Sequence, residues 1–159
     1  GIGDLRGEEL CPDLPALMNI PVALISTSPK DMLDRPATLA WLQKHGVHTA
    51  GEPCTGYLFC GEEVPLELPL SAVKSEKEIR RLTAEGGLLI LNPILEKERV
   101  QDSSILADAI KAGKQAEAEG RYYHPAANGE IDRQTKGYSS RIQLESLQQN
   151  ILLAATIKE

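Results

Sequence analysis

The sequence predicts an α/β protein, a three-layer α/β/α sheet with flanking helices. Three observations lead there. Residues 20–27, Ile-Pro-Val-Ala-Leu-Ile-Ser-Thr, are mostly apolar or branched without polar alternation, the pattern of a strand buried on both faces of a parallel sheet. A helix signal follows, then Gly46 and a short strand over 47–50, which together make a βαβ unit. The run Leu-Leu-Ile-Leu at 88–91, between Gly86-Gly87 and Asn92-Pro93, reads as another buried strand.

Each element has its own signal. Asp34 is placed to cap the first helix, with Pro36 in its opening turn and Leu39, Trp41 and Leu42 as its apolar stripe. Lys44-His45-Gly46 is a helix C-terminal pattern. Residues 51–72 are rich in Pro and Gly and predict an irregular segment with one edge strand near 64–70, kept from a sheet centre by Pro65 and Pro69. Ser75 and Glu78 have capping-box spacing for a helix through Ala84, with Ile79 and Leu82 inward. Ser103 or Ser104 caps a helix to about Glu119, its apolar face made by Ile105, Leu106, Ala109, Ile110 and Ala116. Residues 121–138 read as a loop with a short helix around Ile131. The last helix, over 140–157, has apolar positions Ile142, Leu144, Leu147, Ile151 and Leu152.

Composition narrows the function. A length of 159 residues fits one domain or part of one. The net charge of −6 argues against a nucleic-acid surface, which needs a basic face. No apolar run approaches the roughly 20 residues that span a bilayer. Cys11, Cys54 and Cys60 are an odd set without metal-like spacing, which fits a reducing compartment, cytoplasmic or mitochondrial. Aromatic residues make up only 4%, so the core is built from Leu, Ile, Val and Ala. The opening Gly1-Ile2-Gly3-Asp4 reads as a loop inside a domain, so the fold is expected to be incomplete without an N-terminal portion.

Several residues can carry chemistry. Lys30 lies in the turn beyond the first strand, at the carboxyl end where open α/β sheets bind ligands. A lysine there is either a solvated surface charge or, if partly desolvated, a nucleophile that attacks a carbonyl to form a Schiff base. Asp13 is either a turn aspartate or an oxygen ligand for Mg²⁺ or Mn²⁺. Asn92-Pro93 ends a strand and can line a site there. His124-Pro125 sits in the predicted loop. Gln143 and Asn150, seven residues apart, share a face of the last helix, where amides can hold a base or sugar edge or simply meet solvent.

Taken in order, these segments resemble the pseudouridine-5'-phosphate glycosidases, the indigoidine synthase A-like family. Gly1-Ile2-Gly3 with Arg6-Gly7 resembles that family's Gly-Ile-Gly-Gly-Val-His-Arg-Gly loop, and five residues then lead to Asp13, the spacing to the family's metal-binding aspartate. Residues 21–34 resemble the strand and Gly-x-Lys-Ser-Ile-Leu-Asp turn that carry the catalytic lysine. Residues 38–47 resemble the Thr-x-Glu-Tyr-Leu-Glu-Thr-x-Gly-Val helix, and residues 91–96 the Asn-Pro-Ile-Pro-Glu motif. The spacing from His124-Pro125 to Asn150 resembles that from a Thr-Pro turn to the family's Asn-rich last helix. The resemblance implies a trimeric α/β/α enzyme that uses Mn²⁺ to split pseudouridine 5'-phosphate reversibly into uracil and ribose 5-phosphate. It implies Lys30 as the Schiff-base nucleophile, Asp13 as the metal ligand, and Arg6, Asn92, Gln143 and Asn150 as substrate-binding residues. A C-glycosidic bond has no heteroatom leaving group, so the two-carboxylate route of ordinary glycosidases does not serve. A lysine imine at the sugar C1' supplies the electron sink instead.

The departures are specific. Leu5 precedes Arg6 where the family has histidine, and Pro15 replaces a serine after Asp13. Lys30 is flanked by Ser28-Pro29 and Asp31 in place of Gly-Ala and Ser, and Asp31 is placed to keep the amine protonated. Gln143 stands where the family has asparagine. A second active-site lysine and part of the phosphate site are expected on the N-terminal portion, as a separate chain or a further segment. Two readings follow: the C-terminal portion of a working glycosidase, or a catalytically degenerate relative serving as a structural subunit in a larger complex.

Overall fold

The computed structural model describes residues 11–84 and 86–157. The Gly1 to Gly7 loop, and Arg6 with it, lies outside them. The elements run α1 (Asp13–Asn19), β1 (Ala23–Ser26), α2 (Arg35–Lys44), β2 (His48–Gly51), β3 (Leu68–Pro69), a 3₁₀ turn (Leu70–Val73), α3 (Glu76–Leu82), β4 (Leu88–Leu91), α4 (Ser104–Ala118), α5 (Tyr123–Gln134) and α6 (Tyr138–Thr156). The four strands are all parallel in the order β1-β4-β2-β3. β4 is central, its Leu88 opposite Ala23 on one side and His48 on the other.

The alternation of β4 builds the layers. Leu89 and Leu91 point to one face and pack with Leu14 and Leu17 of α1 and Leu39 and Leu42 of α2. Leu88 and Ile90 point to the other and pack with Ile79 and Leu82 of α3 and Leu153 of α6. A third cluster beyond the strand ends joins Met32, Leu58, Phe59 and Ile94 to Ala109, Tyr123, Ala127, Ile131 and Ile142 of the last three helices. The chain is thus an α/β/α sandwich with its helical cap over the carboxyl side. Among the described residues no helix is long and apolar enough to cross a membrane.

Local signals set most boundaries. Asp34 caps α2, its Oδ1 accepting from Ala37 N at 2.9 Å, and Pro36 sits in the first turn. Gly46 ends that helix with φ +78°, in the left-handed region, and Val47 N closes back onto Leu42 O at 3.0 Å. Ser75 and Glu78 form the capping pair, with Glu78 N donating to Ser75 Oγ at 3.3 Å and Ser75 Oγ donating to Glu78 Oε2 at 2.9 Å.

Five expectations are corrected. The first strand is shorter than 20–27, and it lies at the sheet edge, where no other strand among the described residues pairs its outer side; Ile20, Val22 and Leu24 are exposed. The predicted edge strand exists but has only two residues, while Val64 makes an isolated antiparallel bridge to Cys54. Ser103 holds the N-cap position of α4 but its side chain makes no cap bond; Asp102 Oδ1 accepts from Ser104 N at 3.0 Å instead. The predicted loop 121–138 contains all of α5, whose buried Tyr123, Ala127 and Ile131 repeat at helical spacing; Pro125 falls in the first turn, where its missing N–H costs no hydrogen bond. Finally, α6 turns Ser139, Ile142, Ser146 and Asn150 inward and leaves Leu144, Leu147, Ile151 and Leu152 each more than half exposed.

Candidate active site

The turn after β1 presents a lysine over a cavity of about 330 Å³ at the carboxyl end of the sheet. Lys30, Ser28, Asp13, Cys11, Leu24 and His124 are among its walls. The floor is apolar, formed by side chains of α1, α2 and β4. Lys30 is half-buried, and removal from water pushes its amine pKa below the ordinary lysine range. A larger share of the amine is therefore neutral at a given pH than for a surface lysine.

The neighbouring carboxylate does not hold that proton, as the sequence had led one to expect. Asp31 accepts three backbone N–H groups, from Tyr57 at 2.8 Å, Leu58 at 2.7 Å and Phe59 at 2.9 Å. Its remaining partner among the described residues is Arg35, four positions on at the start of α2 and 3.7 Å away, and Arg35 in turn donates to the Glu62 carbonyl. An aspartate saturated in this way pins the 57–59 loop onto the lysine turn. Burial, reinforced by the Asp31 charge, pushes the Tyr57 hydroxyl up to about 12. Tyr57 therefore stays a donor, and its hydroxyl donates to Gln143 Oε1 at 3.0 Å.

The other predicted residues divide between two places. Asp13 shares the lysine cavity. Asn92 lines a second cavity of about 440 Å³, between the loop after β4 and α6, with Glu98, Glu145, Gln148 and Gln149. Behind it runs a buried polar chain: Asn92 Nδ2 donates to Asn150 Oδ1 at 3.0 Å, Asn150 Nδ2 donates to Thr27 Oγ1 at 3.2 Å, and Thr27 Oγ1 donates to Ser146 Oγ at 3.0 Å. Both Asn150 and Thr27 are buried. Gln143 sits one turn before Ser146 and bonds Tyr57 and the Ser139 carbonyl. Arg6 is outside the described residues.

Thr27, Ser146 and the cavity histidine His124 were not assigned to the site from sequence. Thr27 and Ser146 give no single-sequence signal. His124 becomes readable only once α5 is known to start at Tyr123 and bring its first turn to the lysine turn. All three cysteines are free; Cys54 is buried with its Sγ 3.1 Å from Ser28 Oγ, and Cys60 is exposed.

A divalent metal has a thin donor set here. Asp13 is exposed, its Oδ2 accepts from the Cys11 thiol at 3.2 Å, and no cluster of three His, Cys, Asp or Glu able to hold a metal exists among the described residues. One carboxylate suits only an ion that keeps most of its water.

The family model described as "Indigoidine synthase A like protein" matches residues 4–159. Pseudouridine-5'-phosphate glycosidase of Mesorhizobium japonicum is 30% identical over 165 residues, covering 98% of this chain and 54% of that protein. The Petrotoga mobilis protein of the same name is 30% identical over 159 residues, covering 94% and 52%. The chain thus spans about half the length of the curated relatives it matches. The solved structure of an indigoidine synthase A-like protein from Thermotoga maritima superposes with a TM-score of 0.72 at 17% identity, over 99% of this chain and 55% of that one. The prealnumycin C-glycosynthase in complex with ribulose 5-phosphate superposes with a TM-score of 0.68 at 22% identity, over 98% and 55%. These two likenesses establish the fold. With the family model spanning nearly the whole sequence and the named relatives all pseudouridine-5'-phosphate glycosidases, the chain belongs to the indigoidine synthase A-like family.

Proposed function

We propose that this chain is the C-terminal portion of a C-glycosidase domain that forms an imine between Lys30 Nζ and C1 of ribose 5-phosphate, the intermediate in reversible cleavage of pseudouridine 5'-phosphate. The observation that carries the reading is the placement of Lys30. Its amine is half-buried in a cavity at the strand ends, its pKa is lowered by desolvation, and the adjacent carboxylate is committed to backbone N–H groups. A neutral amine beside an apolar floor attacks an aldehyde carbon, which is the chemistry that C-glycoside cleavage requires. Gln143 and Asn92 are the candidates for sugar or base contacts. Asn150 acts behind them, through Asn92 and Thr27. Asp13 is the place for one carboxylate to hold a largely hydrated Mn²⁺, an ion that would supply charge neutralisation beside the sugar phosphate. Arg6 and the N-terminal portion would complete the substrate site, and assembly as a trimer follows from the family resemblance.

The test is reductive trapping. With ribose 5-phosphate and borohydride, Lys30 should carry a sugar adduct seen by peptide mass spectrometry, and Lys30→Ala should abolish it. Absence of an adduct even with the N-terminal portion supplied would sink the enzyme reading. A second reading, a structural subunit of a larger complex without catalysis, is favoured by the exposed apolar face of α6 and the open edge of β1.

A further inference from the structure

His124 sits in the wall of the cavity that holds Lys30, although 94 positions separate them in sequence. It is the second residue of α5, after Tyr123. That helix start is fixed by packing: the Tyr123 ring lies so close to Gly113 that a Cβ there would come within 2.5 Å of Cε2. The α4–α5 pair is therefore locked together at this point, and Pro125 restricts the backbone on the other side of His124. The Tyr123 ring meets the imidazole edge-on at 5.6 Å between centroids. The histidine is thus delivered to the cavity by a fixed element.

Imine formation has a proton requirement that the lysine cannot meet alone. When the amine attacks the aldehyde, a C–N bond forms, the carbonyl oxygen must gain a proton and the nitrogen must lose one. When the carbinolamine collapses, the C–O bond breaks and the leaving hydroxyl takes a proton to depart as water. One group that gives and takes a proton near neutral pH serves all of these transfers, and the sum is amine plus aldehyde to imine plus water, with that group unchanged. Among the described cavity walls, the groups able to exchange protons besides Lys30 are Asp13, Cys11 and His124. The Cys11 thiol already donates to Asp13. Imidazole is the side chain that exists in both forms around pH 7.

We infer that His124 is the proton-transfer residue for imine formation at Lys30. The inference rests on the lysine reading proposed above and adds to it a residue from a different helix.

The experiment follows the rate of Lys30 adduct formation with ribose 5-phosphate, by borohydride quench and mass spectrometry, in the full chain and in the His124→Ala and His124→Gln variants. Both variants should slow adduct formation on the order of a hundredfold at saturating sugar. The sugar concentration for half-maximal rate should hardly change. Free imidazole should restore much of the lost rate to His124→Ala, whose cavity has room for it. Rescue by imidazole also shows that the variant is folded. Adduct formed at the unaltered rate by both variants, or a slow variant that imidazole does not accelerate, overturns the role of His124 while leaving Lys30 standing. No adduct in the unaltered chain with the N-terminal portion supplied overturns the lysine reading and this inference with it.

Discussion

The Asn92 amide donates to the Asn150 carbonyl at 3.0 Å across 58 residues of sequence, and so ties the end of β4 to α6. The pair is one link of the polar chain that continues through Thr27 to Ser146. Asn150→Ala removes the acceptor for the part-buried Asn92 amide and one of the two hydrogen bonds at the buried Thr27 hydroxyl. The expected loss is about 1–3 kcal/mol, read as a lower denaturation midpoint with an unchanged slope. In a double-mutant cycle with Asn92→Ala the two changes should be markedly non-additive, because they break the same bond.

Asp31 should matter for stability rather than for the charge of Lys30. Asp31→Ala strips the acceptor from three N–H groups of the 57–59 loop. It should destabilise by about 2–4 kcal/mol, since bonds to charged acceptors are among the stronger ones. Asp31→Asn keeps part of that bonding and is the variant for chemistry. If Asp31 is the loop clamp, the pH at which Lys30 becomes reactive toward ribose 5-phosphate should stay the same in Asp31→Asn. A large shift in that pH would restore the carboxylate as a partner of the amine.

Lys30 links pH to stability with a definite sign. Its folded pKa is lowered, so between the folded and unfolded values the unfolded chain binds more protons. Stability then rises with pH through that alkaline window and is lowest, for this group, below the folded pKa. Lys30→Met removes the buried cation. Its midpoint in chemical denaturation should exceed that of the unaltered chain at neutral pH, and the gap should narrow as pH rises.

Tyr57 carries the opposite sign. Its hydroxyl is raised to about 12, so the folded state holds a proton that the unfolded state loses first. Ultraviolet titration should show a tyrosine ionising near 12 that is missing in Tyr57→Phe. Its contribution to stability should fade as pH climbs from about 10 toward 12. Asp31→Asn, by removing the neighbouring charge, should bring that late titration down.

The β1 edge, unpaired among the described residues, and the apolar face of α6 predict association. Expressed alone, the chain should self-associate or elute with a partner in size exclusion with light scattering. The double variant Leu147→Glu, Ile151→Glu should be far more monodisperse. Both positions are exposed, so its melting temperature should hardly move. A monomeric unaltered chain with sharp cooperative unfolding, indistinguishable from the double variant in solution, would count against a covered face.

Much of the scaffold was readable because its signals are local. Asp34, Gly46 and the Ser75–Glu78 pair act within one turn of where they stand, and the Leu88–Leu91 run announces a central strand by composition alone. The misread parts depend on distant partners. α5 looked like a loop because Pro125 and Gly129 suggest breaks, while what makes it helical is the seat of Tyr123, Ala127 and Ile131 against α4 and α6. The inward face of α6 is partly polar, since Ser146 and Asn150 answer Thr27 and Asn92, and no helical periodicity of apolar residues can reveal that. Lys30 and Asp13, read separately from the sequence, line one cavity in the structure. The role of Asp31 was not readable, because its partners lie 26 to 28 residues away in an irregular segment.

The bond from Asn150 to Thr27 spans 123 positions. It has a consequence for how the chain is made. The lysine turn follows Thr27 directly, and part of its support comes from α6, 123 positions further along the chain. On the ribosome that support must wait until α6 has emerged. Contacts of such long range slow folding. Early folding would be confined to the helix α2 region and the α4–α5 pair, whose contacts are local, and the Lys30 turn would acquire its final shape only once α6 is in place.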